Sequence, residues 1–133
     1  MKIGLRRLRK LAAHLMRGKL GHAKFYFGAW NSAQAPECGT AGCAVGECPV
    51  IFRKQWRWKY NGNPALRNNS QFDPIYDAAA FFDLSAREAY HLFIPGEQAP
   101  DTFGGTYLDR FAKRKDVARN IIAFIKLREK ETV

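Results

Sequence analysis

The sequence predicts a mainly α fold of the α+β kind, a compact bundle of four or five helices around a central helix of small residues, with one short strand pair. Three observations support this prediction: an amphipathic segment near the N-terminus, two helix-start motifs mid-chain, and an apolar stripe near the C-terminus. With 133 residues and 47% hydrophobic content, the chain is long enough and apolar enough to form one hydrophobic core. We therefore predict a single globular domain over residues 1–133.

The first helix is predicted over residues 4–17. Its apolar residues recur at steps of three and four, which places them on one side: Leu5, Leu8, Leu11, Ala12, Leu15 and Met16. Basic and polar residues follow the same steps on the other side: Arg6, Lys10, His14 and Arg17. We therefore expect His14 to be solvated beside fixed cations, and the glycines after residue 17 to end the helix.

Two aromatic segments suit extended structure: residues 24–30 are predicted to be a buried strand or an extended connector, and residues 50–60 a second strand. In the second segment three aromatic residues alternate with two cations: Trp56, Trp58 and Tyr60 with Arg57 and Lys59. A period of two places the aromatic rings on one face and the cations on the other. Proteins that bind single-stranded nucleic acid use this combination, but it is also typical of a half-buried strand, which we favour.

Two helix starts can be recognised in the middle of the chain. Asp73 is a natural N-cap and Pro74 a natural first residue, so a helix is expected to follow up to residue 82. Ser85 and Glu88, three positions apart, form a capping-box pattern that predicts a second, short helix ending at residue 93.

The C-terminal third is predicted to contain a loop and a closing helix. Arg87 and His91 lie four positions apart, so we expect them to share an outer helix face. Residues 97–105 contain Pro100 and a Gly-Gly pair and are the best candidate for a mobile segment. The closing helix is expected within residues 109–129.

The basic residues are concentrated in the first half of the chain. Residues 1–67 contain thirteen Lys and Arg against two acids, a net charge of +11, whereas residues 68–133 contain nine against ten, a net charge of −1. A basic surface favours an anionic partner and salt-sensitive association, so we predict binding to nucleic acid or a nucleoprotein by phosphate contact. The predicted contact residues are Arg6, Arg7, Lys10, Arg17, Lys19, Arg53, Lys54, Arg57 and Lys59.

Charge alone leaves a second function open, an adaptor or inhibitor that presents the same basic face to an acidic protein surface. No apolar run approaches the roughly 18 residues of a membrane span, and no signal-peptide core is present. We therefore expect no membrane contact and a cytoplasmic location. No cofactor is expected, and interaction is favoured over catalysis.

All three cysteines lie within residues 38–49, a stretch that also holds several glycines and alanines. Cys38 at a helix start, with His22 or His14 as a base, would be a thiol nucleophile in outline and would make the protein a hydrolase or transferase. A Cys3His zinc site would use four ligands: Cys38, Cys43, Cys48 and His22. On a helix, however, Cys38 and Cys43 would point about 140° apart, which disfavours a shared metal.

A packing role explains more residues of this stretch than either chemical role. Small residues let a helix approach its neighbours closely, and Cys behaves as a small apolar residue in a core. We therefore predict a buried, tightly packed helix that starts at Cys38 or Thr40 and ends at Pro49, with reduced thiols.

Several short motifs occur in a fixed order along the chain. They are Trp30 after an aromatic segment, Cys38-Gly39-Thr40-x-x-Cys43-Ala44-x-Gly46, residues 76–85, Glu88-Ala89 with Leu92-Phe93, and residues 116–121. The set resembles that of a family of small uncharacterised proteins from bacteria and their phages, and the resemblance covers most of the chain. It departs after Gly46, where Glu47-Cys48-Pro49 replaces an aromatic residue or His followed by Ala. The resemblance implies a shared fold and a phage setting with host-directed interaction, but no activity.

Overall fold

A computed structural model describes residues 2–18, 24–25, 41–42, 44–59, 63–71 and 73–131. The helices in this part of the chain are α1 (Lys2–Arg17), α2 (Cys48–Ile51), α3 (Pro74–Phe81), α4 (Ala86–Phe93), α5 (Pro100–Phe103) and α6 (Arg114–Glu131). The strands are β1 (Lys24–Phe25), β2 (Ala41–Gly42), β3 (Trp56–Trp58) and β4 (Pro64–Leu66), and a 3₁₀ turn at Val45–Glu47 leads into α2. The mainly α fold with short strands is as predicted.

The strands form two separate pairs. β1 and β2 are parallel, with Lys24 opposite Ala41, whereas β3 and β4 are antiparallel, with Arg57 opposite Ala65. The prediction of one strand over residues 50–60 is wrong in its first part, because Val50 and Ile51 end α2. Pro49 fits the first turn of that helix, and the chain turns after Phe52 before β3 begins.

The core lies between α1 and α6 and extends under α3 and α4. Its fully buried apolar residues from the two long helices are Leu8, Leu11 and Leu15 of α1 with Val117, Ala118, Ile121 and Phe124 of α6. Edge-to-face aromatic rings fill the space between the helices and β3: Phe52, Trp56, Phe81 and Phe82. The apolar stripes predicted for α1 and α6 therefore face each other.

The end of α3 lies against the start of α1 at Gly4. A Cβ atom at this position would lie 2.2 Å from the carbonyl oxygen of Phe82, so only glycine permits this approach. Gly18, at φ +79°, follows the last turn of α1 in the left-handed conformation that commonly ends helices. The end of α1 at this glycine is as predicted.

Both predicted helix starts are present. The Asp73 carboxylate accepts a hydrogen bond of 2.9 Å from the backbone N–H of Ile75, and Pro74 opens α3. Ser85 and Glu88 form the reciprocal capping box, with bonds of 3.1 and 2.8 Å. These signals depend only on residues a few positions apart, so they were readable in the sequence.

The predicted helix of small residues is confirmed only in its second half, and its predicted end at Pro49 is wrong, because Pro49 lies in the first turn of α2, which runs to Ile51. Ala41 and Gly42 belong to β2, and helical structure begins at Val45. Every residue from Ala44 to Pro49 is buried, in agreement with the predicted packing role. Residues 38–40 and Cys43 lie outside the described residues.

Candidate functional site

A cleft of about 560 Å³ lies between α1 and the segment formed by the end of α2 and the turn that follows it. It is lined by Arg6, Arg7 and Lys10 of α1 and by Val50, Ile51, Phe52, Arg53, Lys54 and Gln55. Five of these nine residues are Lys or Arg, and none is acidic. We call this cavity the basic cleft. It brings together five of the nine cations predicted to contact the partner.

Arg7 is held in a fixed orientation in this cleft. Its Nη1 donates a hydrogen bond of 2.8 Å to the carbonyl oxygen of Phe81, and its Cζ lies 3.9 Å from the centroid of the Phe81 ring. A guanidinium group has five N–H donors, and the bond to Phe81 uses one of them. Arg7 therefore combines a structural contact with donors that an anion can still occupy.

The other cations of the cleft are more exposed. Lys10 Nζ lies 5.3 Å from the centroid of the Phe52 ring, and Arg53 Nε donates to the Val50 carbonyl oxygen at 3.2 Å. Arg6 and Lys54 are exposed, and neither forms an ion pair within the described part of the chain. No carboxylate of the described residues therefore neutralises Arg6 or Lys54.

The remaining predicted contact residues lie elsewhere. Arg17 is exposed at the end of α1, Arg57 is exposed on β3, and Lys59 is half-buried just after β3, so none of them lines the basic cleft. Lys19 lies outside the described residues. Of the aromatics predicted to share one strand face, Trp56 is fully buried, Trp58 is 37% exposed and Tyr60 lies outside the described residues, so the predicted burial of that face holds only at Trp56.

Sequence reasoning missed the four uncharged residues of the cleft: Val50, Ile51, Phe52 and Gln55. Their only signal in the sequence is that they flank Arg53-Lys54. That signal becomes meaningful only when α1 is known to lie opposite this segment.

The residues of the predicted chemical sites are only partly described. Cys38, Cys43 and His22 lie outside the described residues, so the thiol and zinc predictions stay predictions. Cys48 is fully buried, and its Sγ lies 4.0 Å from the Ala44 carbonyl oxygen, as expected for a residue with a packing role. Within the described residues, no group of three or more His, Cys, Asp or Glu side chains is placed to hold a metal ion.

The prediction that His14 is solvated is wrong. Its side chain is buried in the core, and Nε2 lies 2.8 Å from Glu47 Oε1, which is also fully buried. The position of His14 beside Leu11 and Leu15 brings it to the edge of the apolar stripe, where the 3₁₀ turn supplies a polar partner. The sequence signal was Glu47, an acid surrounded by small buried residues.

The prediction for His91 is also wrong. The ring is fully buried on α4, and Nδ1 accepts a hydrogen bond of 2.8 Å from the backbone N–H of Ala99. Burial lowers the pKa of His91, and the backbone of Gly104 opposes this effect. The segment after α4 folds back over the ring, so the helix face that it shares with Arg87 is not an outer face at His91.

Comparisons with known proteins found no similar protein. No protein-family model matches the chain, and no curated protein or solved structure is significantly similar to it. In the described part of the chain, no helix is both long and apolar enough to cross a membrane.

Proposed function

We propose that the protein is a non-catalytic binder of nucleic acid, alone or in a nucleoprotein, and that the basic cleft is its contact surface. The observation that carries the proposal is the convergence of five Lys and Arg side chains on one cavity without an acidic lining residue. A concave site with low-dielectric walls focuses the field of such charges. The cleft therefore suits a ligand with closely spaced negative charges, as in a phosphodiester backbone.

The dimensions of the cleft favour a single strand. Its volume of about 560 Å³ is within the range of about 300–1,000 Å³ typical of clefts that enclose small molecules. Such a space holds a phosphate with its sugar, but not the full width of a duplex. Val50, Ile51 and Phe52 give the cleft an apolar wall against which a sugar or base edge can pack.

The expected binding is largely independent of base sequence. Lys and Arg contacts to phosphates fix the position of a strand but do not distinguish bases. Arg7 is oriented in advance by Phe81, whereas Arg6 and Lys54 are exposed side chains that can follow the backbone of the ligand. We therefore expect affinity to depend strongly on salt and weakly on sequence.

The test is fluorescence anisotropy with a labelled single strand and a duplex of the same sequence. The variant combines three charge reversals in the basic cleft: Arg6→Glu, Lys10→Glu and Lys54→Glu. The matched control reverses three exposed lysines in and before α6: Lys113→Glu, Lys115→Glu and Lys130→Glu. The proposal requires single-strand binding at low salt that the cleft variant loses and the control keeps. Absence of binding at low salt, or equal binding by the two variants, would refute it.

A second experiment distinguishes binding to nucleic acid from the alternative, binding to an acidic protein surface. The protein is used to capture partners from a bacterial lysate, with and without nuclease treatment. Captured protein that disappears after nuclease treatment supports the nucleic-acid proposal. Capture that resists nuclease and still requires the cleft cations favours the acidic-protein alternative.

A further inference from the structure

His91 fastens the segment that follows α4. We call residues 96–105, which include α5, the flap. The Nδ1 atom of His91 accepts the hydrogen bond from the Ala99 N–H at 2.8 Å, so in the neutral ring the proton is on Nε2. Nε2 is buried and has no hydrogen-bond partner among the described residues. The ring therefore holds Ala99 of the flap through Nδ1, and this bond exists only while Nδ1 is unprotonated.

The other attachments of the flap come from neutral groups. The amide of Gln98 donates to the carbonyl oxygens of His91 and Ile94, at 3.1 and 2.9 Å, and accepts from the N–H of Leu108 at 3.1 Å. The Tyr107 hydroxyl donates to the Gly96 carbonyl oxygen at 2.9 Å. None of these bonds changes with a proton near neutral pH, so His91 is the titratable attachment.

The flap covers an apolar part of α6. The Phe103 ring lies 5.2 Å from the His91 ring and 6.0 Å from the Phe124 ring, measured between centroids. A Cβ atom on Gly104 would lie 3.1 Å from Leu127 Cδ1, so the backbone itself packs against α6. Displacing the flap would therefore uncover Phe103 and Phe124.

We infer that the flap is a pH-sensitive element, which opens away from α6 when His91 takes up a second proton. In the doubly protonated ring both nitrogens carry hydrogen. Nδ1–H would then face the Ala99 N–H, and two donors repel. The ring would also carry a full charge in a buried site, where the Gly104 backbone offsets only part of the lost hydration. Opening relieves both conditions because it gives the ring access to water.

The direction of the pH effect follows from burial. Burial lowers the pKa of His91 below its ordinary value of 6.5, and the Gly104 backbone offsets part of this effect. The open state therefore binds the proton more tightly than the closed state. The closed flap is favoured fully above about pH 6.5 and loses that advantage as the pH falls towards the lower pKa of the closed state.

Other charges near the flap do not explain the effect. The charged side chains on α4, the flap and the facing turns of α6 are Arg87, Glu88, Glu97, Asp101, Arg128 and Glu131. Glu88 is paired with Arg128, and Arg87 lies 5.9 Å from the centroid of the Phe103 ring. The pKa shift of His91 comes from burial and the Gly104 backbone, not from these side chains.

The test measures amide hydrogen exchange of the whole protein by NMR, as protection factors corrected for intrinsic exchange. Between about pH 7 and about pH 5, the protection of the Ala99 and Leu108 amides should fall by up to about tenfold per pH unit, whereas Ile121 in α6 should keep its protection. The control is His91→Asn, because Asn Oδ1 can accept the Ala99 bond at about the Nδ1 position but does not titrate. It also leaves the His14–Glu47 pair intact.

Two results would overturn the inference. One is protection of Ala99 that does not change with pH in the unsubstituted protein, and the other is an equal decline in His91→Asn. Should His91→Asn not fold, the test uses the unsubstituted protein, in which NMR shows which ring nitrogen of His91 carries the proton at each pH. A neutral ring with its proton on Nε2, whose titration coincides with the loss of Ala99 protection, supports the inference, and a proton on Nδ1 contradicts it.

Discussion

Two groups of basic residues, those of the basic cleft and the arginines of α6, differ in their surroundings. Arg119 is paired with Asp116, and Arg128 with Glu88. Arg114 donates to the carbonyl oxygens of Leu15 and Met16, so it joins α6 to the end of α1. In the cleft, the exposed cations have no carboxylate partner within the described residues. The same residue type therefore serves folding in one region and remains available to a partner in the other.

The buried polar groups of the two regions differ as well. Behind the cleft, α1 and the 3₁₀ turn are joined by two titratable side chains, His14 and Glu47. Beside α6, the buried polar groups bond to the backbone one by one: Asn120 holds both the N–H and the carbonyl of Thr106 at 2.9 and 2.8 Å, and the His91 ring accepts from the Ala99 N–H. Removing one partner of a buried ionisable pair destabilises the fold strongly, whereas removing a buried neutral amide lowers the free energy of unfolding by less.

The largest stability effect is expected from Glu47→Ala. The substitution leaves His14 buried without its partner and creates a cavity, so the free energy of unfolding should fall by about 3–5 kcal/mol. Glu47→Gln keeps a polar atom near His14 Nε2, so its free energy of unfolding should fall by less. The control is Glu129→Ala, which removes a solvent-exposed partner of Arg9 and should change the free energy by at most about 1 kcal/mol. Urea denaturation measures all three, and similar values for Glu47→Ala and Glu129→Ala would contradict the comparison.

The next largest loss of stability is expected from Gly4→Ala. The new methyl group would lie 2.2 Å from the Phe82 carbonyl oxygen, so α1 has to shift and the free energy of unfolding should fall by about 2–3 kcal/mol. Helix propensity alone predicts the opposite, a gain of about 1 kcal/mol. Ala13→Gly, at an exposed position of the same helix, calibrates that term by thermal denaturation. A more stable Gly4→Ala protein would show that α1 and α3 are not in close contact.

Replacing one arginine from each group should separate their two roles. Arg128 has a side chain only 13% exposed and two carboxylate partners, so Arg128→Ala should lower the free energy of unfolding by about 1–2 kcal/mol. Arg6→Ala should change it by less than about 0.5 kcal/mol, because Arg6 is exposed, yet it should weaken single-strand binding. The comparison fails if Arg6→Ala proves the less stable variant or if Arg128→Ala alone impairs binding.

Local features of the fold were predictable from the sequence. Asp73 and Ser85 predict the starts of α3 and α4, because a capping side chain forms hydrogen bonds to backbone groups only a few residues away. The apolar periods of α1 and α6 likewise identify two helices whose stripes face the core. The charge asymmetry of the sequence concentrates the cations in the first half of the chain, and the basic cleft lies in that half.

The features that were not predicted depend on distant partners. His14 and His91 were assigned to outer faces by helical spacing, but Glu47 and the flap bury them. Spacing gives the average direction of a face and does not say what covers its edge. The same limit applies to the basic cleft, because no sequence pattern indicates that α1 lies opposite Arg53-Lys54.

The salt dependence of single-strand binding tests the proposed function most directly. The cleft variant combines Arg6→Ala, Lys10→Ala and Lys54→Ala, and its control combines Lys113→Ala, Lys115→Ala and Lys130→Ala. If each cleft cation contacts one phosphate, the slope of log K against log salt should become shallower by about 2 units in the cleft variant, at about 0.7 per contact, and should stay unchanged in the control. An equal reduction in both variants would mean that net charge, not the basic cleft, attracts the strand, and would contradict the proposal.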